Sequence, residues 1–490
     1  MPRTNSYLER AFADLPPNSK ILGMDFNAWL PHNFATLEIL AHLSEQGHRS
    51  HYFQEVSNFL PMFGKPYFGK SGLIDDTTLR EFQIAKLVPP NDVFSEILTP
   101  QHFQDVMSQL RNSTSLNDLK QLNIHGLEIG YPLISSVTSE YKNSNVPLGV
   151  LKRRAGRFLS DYVNTYNLST EIATRAEISA LLIFNGRFVR EHAAAEAFKR
   201  LSIPVYFHES SEPETFSVGR HKPHCTIGAF QDYVDAALEF SPEDVSRMGE
   251  DWFLDRVSSK SPAANRFHKN WRNDLGEYKA SKGAKTISIF PTSDEEFLGL
   301  SSEWDLPGGK TQIEWLASIA ETATRAGMRV VIRLHPNLQR KSSKLKNAWL
   351  SLGKTKSVTV IDPESNVNSY KLIQSSDLVI TCGSTIAAEA TFLKVPVLSV
   401  GAGVYDQFNV VKKSTEALEI NNLIVNSDYS DLIGSYENAL SYGFYEKRRK
   451  LHRSILTLSN SSHYDEFQKP SLLNRLLARI YLQYVLPYLK

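Results

Sequence analysis

Between Val330 and Val400 the chain repeats one unit: a short, almost continuously apolar run, a polar or glycine-bearing turn, then a stretch of helical periodicity. VVIRLHPN, with Arg333, His335 and Pro336 at its end, is the first run; DLVIT (Asp377 to Thr381) is the second and VPVLSV the third. TISIF and SVTVI carry the same signature nearby. Runs this short, β-branched and unalternated belong to strands covered by helices on both faces of a parallel sheet. The pattern predicts an α/β fold with a doubly wound parallel sheet.

The chain has 490 residues, too many for one core at roughly 100–200 residues per domain. A second alternating region precedes the first. KILGMDF reads as a strand, Pro31 to Gln46 as a helix stopped by Gly47, and RSHYF as the next strand. Residues 54–160 read as a loop-rich insertion with no clear repeat. ALLIFNGR, an Ala-rich helix and IPVYFHES then form another β-α-β unit. The polar stretch 257–284 is the expected linker. The expected domains are 1–270, holding the irregular insertion at about 54–160, and 284–430, followed by helices over 431–490 that pack back. Two doubly wound domains facing one another is the expected architecture.

A net charge of +1 supplies no global field for nucleic acid. Two distant cysteines, Cys225 and Cys382, make no disulfide framework and fit a reducing compartment. His221 and His224 lie beside Cys225 without zinc spacing, so no metal site is expected. The N-terminus lacks a continuous apolar segment and no window approaches 18 apolar residues, so the expected location is cytoplasmic. The segment Leu472 to Lys490 is amphipathic and follows a basic run at Lys447 to Lys450. It reads either as a closing helix packed on the body or as an interfacial helix in peripheral contact with anionic lipid.

Several residues point to chemistry. Gly383-Ser384-Thr385 joins an apolar strand to a helix start, where unpaired N–H groups and the dipole favour an anion. Glu389, four residues on, shares that helix face at the reach of a sugar diol. A plain Ser/Thr cap is the competing reading. Pro336 holds His335 out of helix at a strand end, and Arg333 lies two residues earlier on the same face. Together these predict a seat for a nucleotide's phosphates and ribose, with His335 donating to the departing phosphate. In the other β-α-β unit Asn185-Gly186-Arg187 follows a strand and is suited to a hydroxylated or anionic ligand. Glu209, at the expected end of the next strand, is the leading general base; Asp25 is its rival and His32 a weaker third. Asp294-Glu295-Glu296 reads as a solvated acidic face, in a loop that Trp304, Gln312 and Trp315 order. GxGxxG, nucleophile-elbow and HExxH patterns are absent from the sequence.

The set FNGR…HES, PTSDEE, Gln312 with Trp315, RLHPN, the block NSYKLIQSSDLVITCGSTIAAEA and KVPVLSVG resembles the glycosyltransferases of capsule and surface polysaccharide synthesis, over roughly residues 180–410. It is more distantly similar to CMP-sugar (Kdo, sialic acid) transferases and CDP-glycerol polymerases. The resemblance implies a GT-B architecture, two Rossmann-like halves facing a cleft, and a metal-independent transferase with no cofactor beyond its nucleotide-sugar substrate. It places His335, Ser384, Thr385 and Glu389 on the donor, and Asn185, Arg187 and Glu209 on the acceptor or catalytic side. The implied partners are a nucleotide-sugar donor and a glycan or lipid-linked acceptor. A polyol-phosphate transferase, a nucleotide-sugar epimerase and a non-catalytic assembly or export protein remain the alternatives.

Overall fold

The computed structural model describes residues 3–26, 30–55, 79–80, 83–88, 97–141, 143–212, 215–258, 283–340, 343–354 and 357–452. Most of the expected linker and the whole amphipathic segment from Leu472 lie outside these residues. In chain order the strands are β1 (Lys20–Asp25), β2 (Arg49–Gln54), β3 (Ala85–Lys86), β4 (Asn123–Ile124), β5 (Leu127–Glu128), β6 (Ala180–Phe184), β7 (Val205–Glu212) and β8 (Thr215–Gly219). They continue with β9 (Thr286–Phe290), β10 (Arg329–Arg333), β11 (Val358–Ile361), β12 (Leu378–Thr381), β13 (Val397–Ser399), β14 (Lys412–Lys413) and β15 (Leu451–His452).

The chain forms two compact units, each built on a Rossmann-like, mainly parallel sheet. One comprises Met1–Val137, Pro147–Pro223 and Arg449–Lys490; the other comprises Thr138–Val146 and His224–Arg448. The first sheet runs β15-β8-β7-β6-β1-β2-β3. Its five strands from β7 to β3 pair in parallel, and β8 and β15 add an antiparallel edge. Alternate residues feed two cores: Ile21, Ala180, Leu182 and Tyr206 on one face, Leu22, Met24, Leu181, Ile183 and Phe207 on the other. That two-sided burial is why these strands read as unbroken apolar runs.

The second sheet is wholly parallel in the order β11-β10-β9-β12-β13-β14. Counted along the unit this is 3-2-1-4-5-6, the doubly wound order whose reversal lies between its first and fourth strands. Ile287, Ile289, Val330, Ile332, Leu378, Ile380 and Leu398 face one core; Phe290, Val331, Val379 and Val397 face the other.

Three expectations are corrected. The described part of 54–160 is largely helical, with Pro100–Asn112, Leu116–Lys120, Gly130–Tyr141 and Leu148–Arg175. The first of these starts on a reciprocal cap between Thr99 and His102, where the usual cue is Glu or Gln rather than His. The division between units falls at Pro223 rather than near 270, because the helix Pro242–Val257 packs Trp252 and Phe253 onto Tyr442 and Phe392. Finally, β7 does not end at Glu209 but runs to Glu212 and pairs antiparallel with β8, and after the helix Tyr436–Arg448 the chain returns to a sheet as β15.

Candidate functional site

In the second unit, parallel pairing brings the carboxyl ends of β10, β9 and β12 to one edge of the sheet. His335 follows β10 and Ser384 follows β12, with β9 between them, so they extend from strands about 10 Å apart. The loop after β9 is locked from one side. The Gln312 side chain accepts from the Thr292 N–H at 2.8 Å and donates to Thr292 Oγ1 at 3.0 Å and to Asp294. The Trp315 indole donates to the Val400 carbonyl at 3.0 Å. The expected ordering of this loop by Gln312 and Trp315 therefore has a concrete form.

His335 accepts at Nδ1 from the Asn337 N–H at 3.1 Å, which assigns its proton to Nε2. Burial, with Arg333 adding its charge, lowers its pKa to about 4, so at neutral pH the ring is an uncharged Nε2–H donor. Pro336 opens the 3-10 turn Pro336–Arg340 that supports this geometry. Arg333 does not reach outward as expected. It is 3% exposed and spends its guanidinium on the carbonyls of Asp362, at 2.5 Å, and Ser365, at 3.1 Å. Burial lowers its pKa to about 10, against the pull of Asp362.

Gly383 is fixed by its surroundings. It has φ +76°, and a Cβ there would stand 2.6 Å from the Ala402 carbonyl oxygen. Ser384 Oγ accepts from the Ile386 N–H at 3.3 Å, which leaves the hydroxyl proton for another acceptor. The following helix, Ile386–Phe392, is only 7 residues long, so a macrodipole contributes little and polar side chains must do more than the sequence implies. Thr385 donates to Glu389 Oε1 at 3.1 Å. Glu389 itself is 1% exposed, and Arg256 donates to the same Oε1 from Nε at 2.9 Å and Nη2 at 2.7 Å. The expectation that Glu389 offers an open carboxylate to a ribose is corrected: it is the buried half of an ion pair. Burial works against the Arg256 charge, but Glu389, joined by Tyr370 and Glu446, outweighs it and pushes the pKa up.

In the first unit the reversal lies between β1 and β6, and the polar residues gather there. Asn185 and Gly186 both adopt left-handed backbone, φ +51° and +77°, so the chain turns sharply out of β6. Asn185 donates to Glu209 Oε2, and its own Oδ1 is buried with no hydrogen-bond partner among the described residues. His32, in the first turn of the helix Leu30–Glu45, places Nδ1 3.6 Å from Glu209 Oε1 and lies tilted against the Phe184 ring, 4.0 Å between centroids. Burial raises the Glu209 pKa, while Asn185 and the Arg187 charge hold it down. Arg187 also lies over the Phe188 ring at 4.6 Å. Glu209, Asn185, Arg187 and His32 thus form one cluster.

Asp25 is separate from it. It is fully buried, accepts from Tyr52 at 2.8 Å and Thr36 at 3.1 Å, and burial raises its pKa to about 6. Thr36 Oγ1 also lies 2.9 Å from His208 Nε2. A carboxylate enclosed this way is not positioned to meet an acceptor hydroxyl, which corrects its standing as rival base. Arg256, and the Tyr52 and Thr36 partners that enclose Asp25, have no role in the sequence reading; no local motif marks them. Among the described residues no group of three or more His, Cys, Asp or Glu is placed to hold a metal, and no helix is long and apolar enough to cross a membrane.

No family model and no curated protein matches the sequence. Solved structures similar to the chain include the β-Kdo 2,4 transferase KpsC of Thermosulfurimonas dismutans, at 13% identity and TM-score 0.35, covering 54% of this chain and 79% of that one. The UDP-GlcNAc 2-epimerase of Neisseria meningitidis bound to UDP-GlcNAc is similar at 15% identity and TM-score 0.32, covering 88% and 97%. Acinetobacter baumannii MurG is similar at 12% identity and TM-score 0.30, covering 87% and 95%. At these TM-scores none of the three carries an argument about what this chain does.

Proposed function

We propose that the chain is a glycosyltransferase that moves a sugar from a nucleotide donor, a CMP- or other nucleotide-linked sugar, to a surface glycan or glycolipid acceptor. The observation that supports it most is the 3-2-1-4-5-6 sheet of the second unit, with Ser384 following the strand at the order reversal. In this reading the unit holds the donor, with the Ser384 hydroxyl and the neutral His335 Nε2–H donating to phosphate oxygens. In the first unit Glu209, oriented by Asn185 and His32, takes the acceptor proton as the acceptor oxygen bonds the anomeric carbon. The bond from that carbon to the phosphate oxygen breaks, and the nucleotide leaves as an anion with no metal needed to accept its charge.

Calorimetry with CMP, CDP and UDP tests the donor assignment. Wild type is expected to bind at least one of them, and Ser384→Ala to bind it about tenfold more weakly with an unchanged melting temperature. Equal affinity in the variant would remove the phosphate role, and no affinity for any nucleotide would remove the donor reading. Product analysis with a labelled donor then separates transfer from epimerised nucleotide-sugar.

A further inference from the structure

We infer that Arg256 is a phosphate-binding residue of the donor site, held in place by Glu389; the inference rests on the donor reading above. Arg256 is the penultimate residue of the helix Pro242–Val257, 133 positions before its carboxylate partner. Its Nε and Nη2 both donate to one oxygen, Glu389 Oε1, so the ion pair uses a single edge of the guanidinium. The flat cation rests on the Trp252 ring with 4.7 Å from Cζ to the centroid. Carboxylate and indole together fix its plane. Tyr370 also hydrogen-bonds to the guanidinium, and 26% of the Arg256 side chain remains in solvent while Glu389 is 1% exposed.

The same carboxylate oxygen explains why such a cation belongs here. Thr385 spends its hydroxyl proton on Glu389 Oε1, and its oxygen lies 3.5 Å from Arg256 Nη2. Thr385 therefore offers no hydroxyl donor to a phosphate, although it is half of the Ser-Thr turn. Of that pair only Ser384 keeps an unspent proton. A diphosphate or phosphate monoester bound at this turn needs a positive partner, and Arg333 is turned away onto carbonyls. Arg256 stands beside Thr385 with a planar fork that suits paired phosphate oxygens. Were the pair only a staple between helices, an apolar pair of similar volume would serve as well, since buried ion pairs seldom stabilise more.

The test titrates inorganic pyrophosphate, and separately the nucleotide, into wild type, Arg256→Met and Arg256→Lys, with melting temperatures recorded. Wild type is expected to bind pyrophosphate. Arg256→Met is expected to bind it about tenfold or more weakly, and Arg256→Lys to fall between, because an ammonium keeps the charge and loses the fork. Affinity unchanged in both variants, whatever the melting temperature does, overturns the inference and leaves the donor reading standing. Pyrophosphate binding that depends on Arg256 without nucleotide binding supports the inference and removes the donor reading. Binding of neither ligand overturns both. If Arg256→Met does not fold, Arg256→Lys decides, and an affinity equal to wild type counts against the role.

Discussion

Tyr52 gives its phenol proton to Asp25 across 2.8 Å at a point where the carboxylate is closed off from solvent. Burial there outweighs the hydrogen bonds from Asn33, Tyr52 and Thr36, and the Asp25 pKa rises from the ordinary 3.8 to about 6. The folded state holds this proton more tightly than the unfolded one, so Asp25 contributes most below pH 4 and that contribution is lost as pH climbs through 6. A pKa raised from 3.8 to about 6 corresponds to about 3 kcal/mol. Denaturant unfolding of wild type and Asp25→Asn across pH 4 to 7 measures it. Wild type is expected to lose up to about 3 kcal/mol relative to the variant over that window; a difference that stays flat with pH removes the argument.

Glu209 is the carboxylate left partly open, 21% exposed in its side chain, with His32 and Asn185 fixing its orientation. Glu209→Gln preserves shape and hydrogen bonding but accepts no proton. Transfer measured in a single turnover is expected to fall by about 10²–10⁴-fold, the range typical of a lost general base. Nucleotide affinity is expected to hold, because the substitution lies in the other unit. Transfer within a few-fold of wild type would shift the base elsewhere.

Gly186 turns the chain with φ +77°, and a Cβ there would stand 2.4 Å from the Phe207 ring. Gly186→Ala combines left-handed backbone strain with overpacking against a buried aromatic. A loss of about 2–4 kcal/mol is expected, read as a lower denaturant midpoint. Unchanged stability would mean that Phe207 swings aside and that the turn is less constrained than its geometry implies.

Much of the second unit was readable from local pattern. TISIF, VVIRL, SVTVI, DLVIT and VPVLSV are β9 to β13, because burial on both faces of a parallel strand leaves an apolar run that no tertiary knowledge is needed to see. Asn185, Arg187, Glu209 and His32 were each singled out in the sequence, but that they meet is decided by the parallel pairing of β6 with β1 and β7. The helices over 100–175 were obscured by caps such as Thr99–His102 that lie outside the common cue. The hairpin from β7 to β8 was hidden because the run through Glu209 carries no turn residue where the strand was expected to stop.

What neighbouring residues decide, strand against helix and the position of a turn, is written in spacing alone, since it depends on contacts a few positions apart. Which carboxylate is open and which is spent depends on partners that spacing cannot name. Glu389 looks like a ligand until Arg256 arrives from 133 residues away, and Asp25 looks like a base until Tyr52 and Thr36 close over it. Sheet order and helix packing made those choices, because only the folded chain brings distant polar groups within hydrogen-bonding distance.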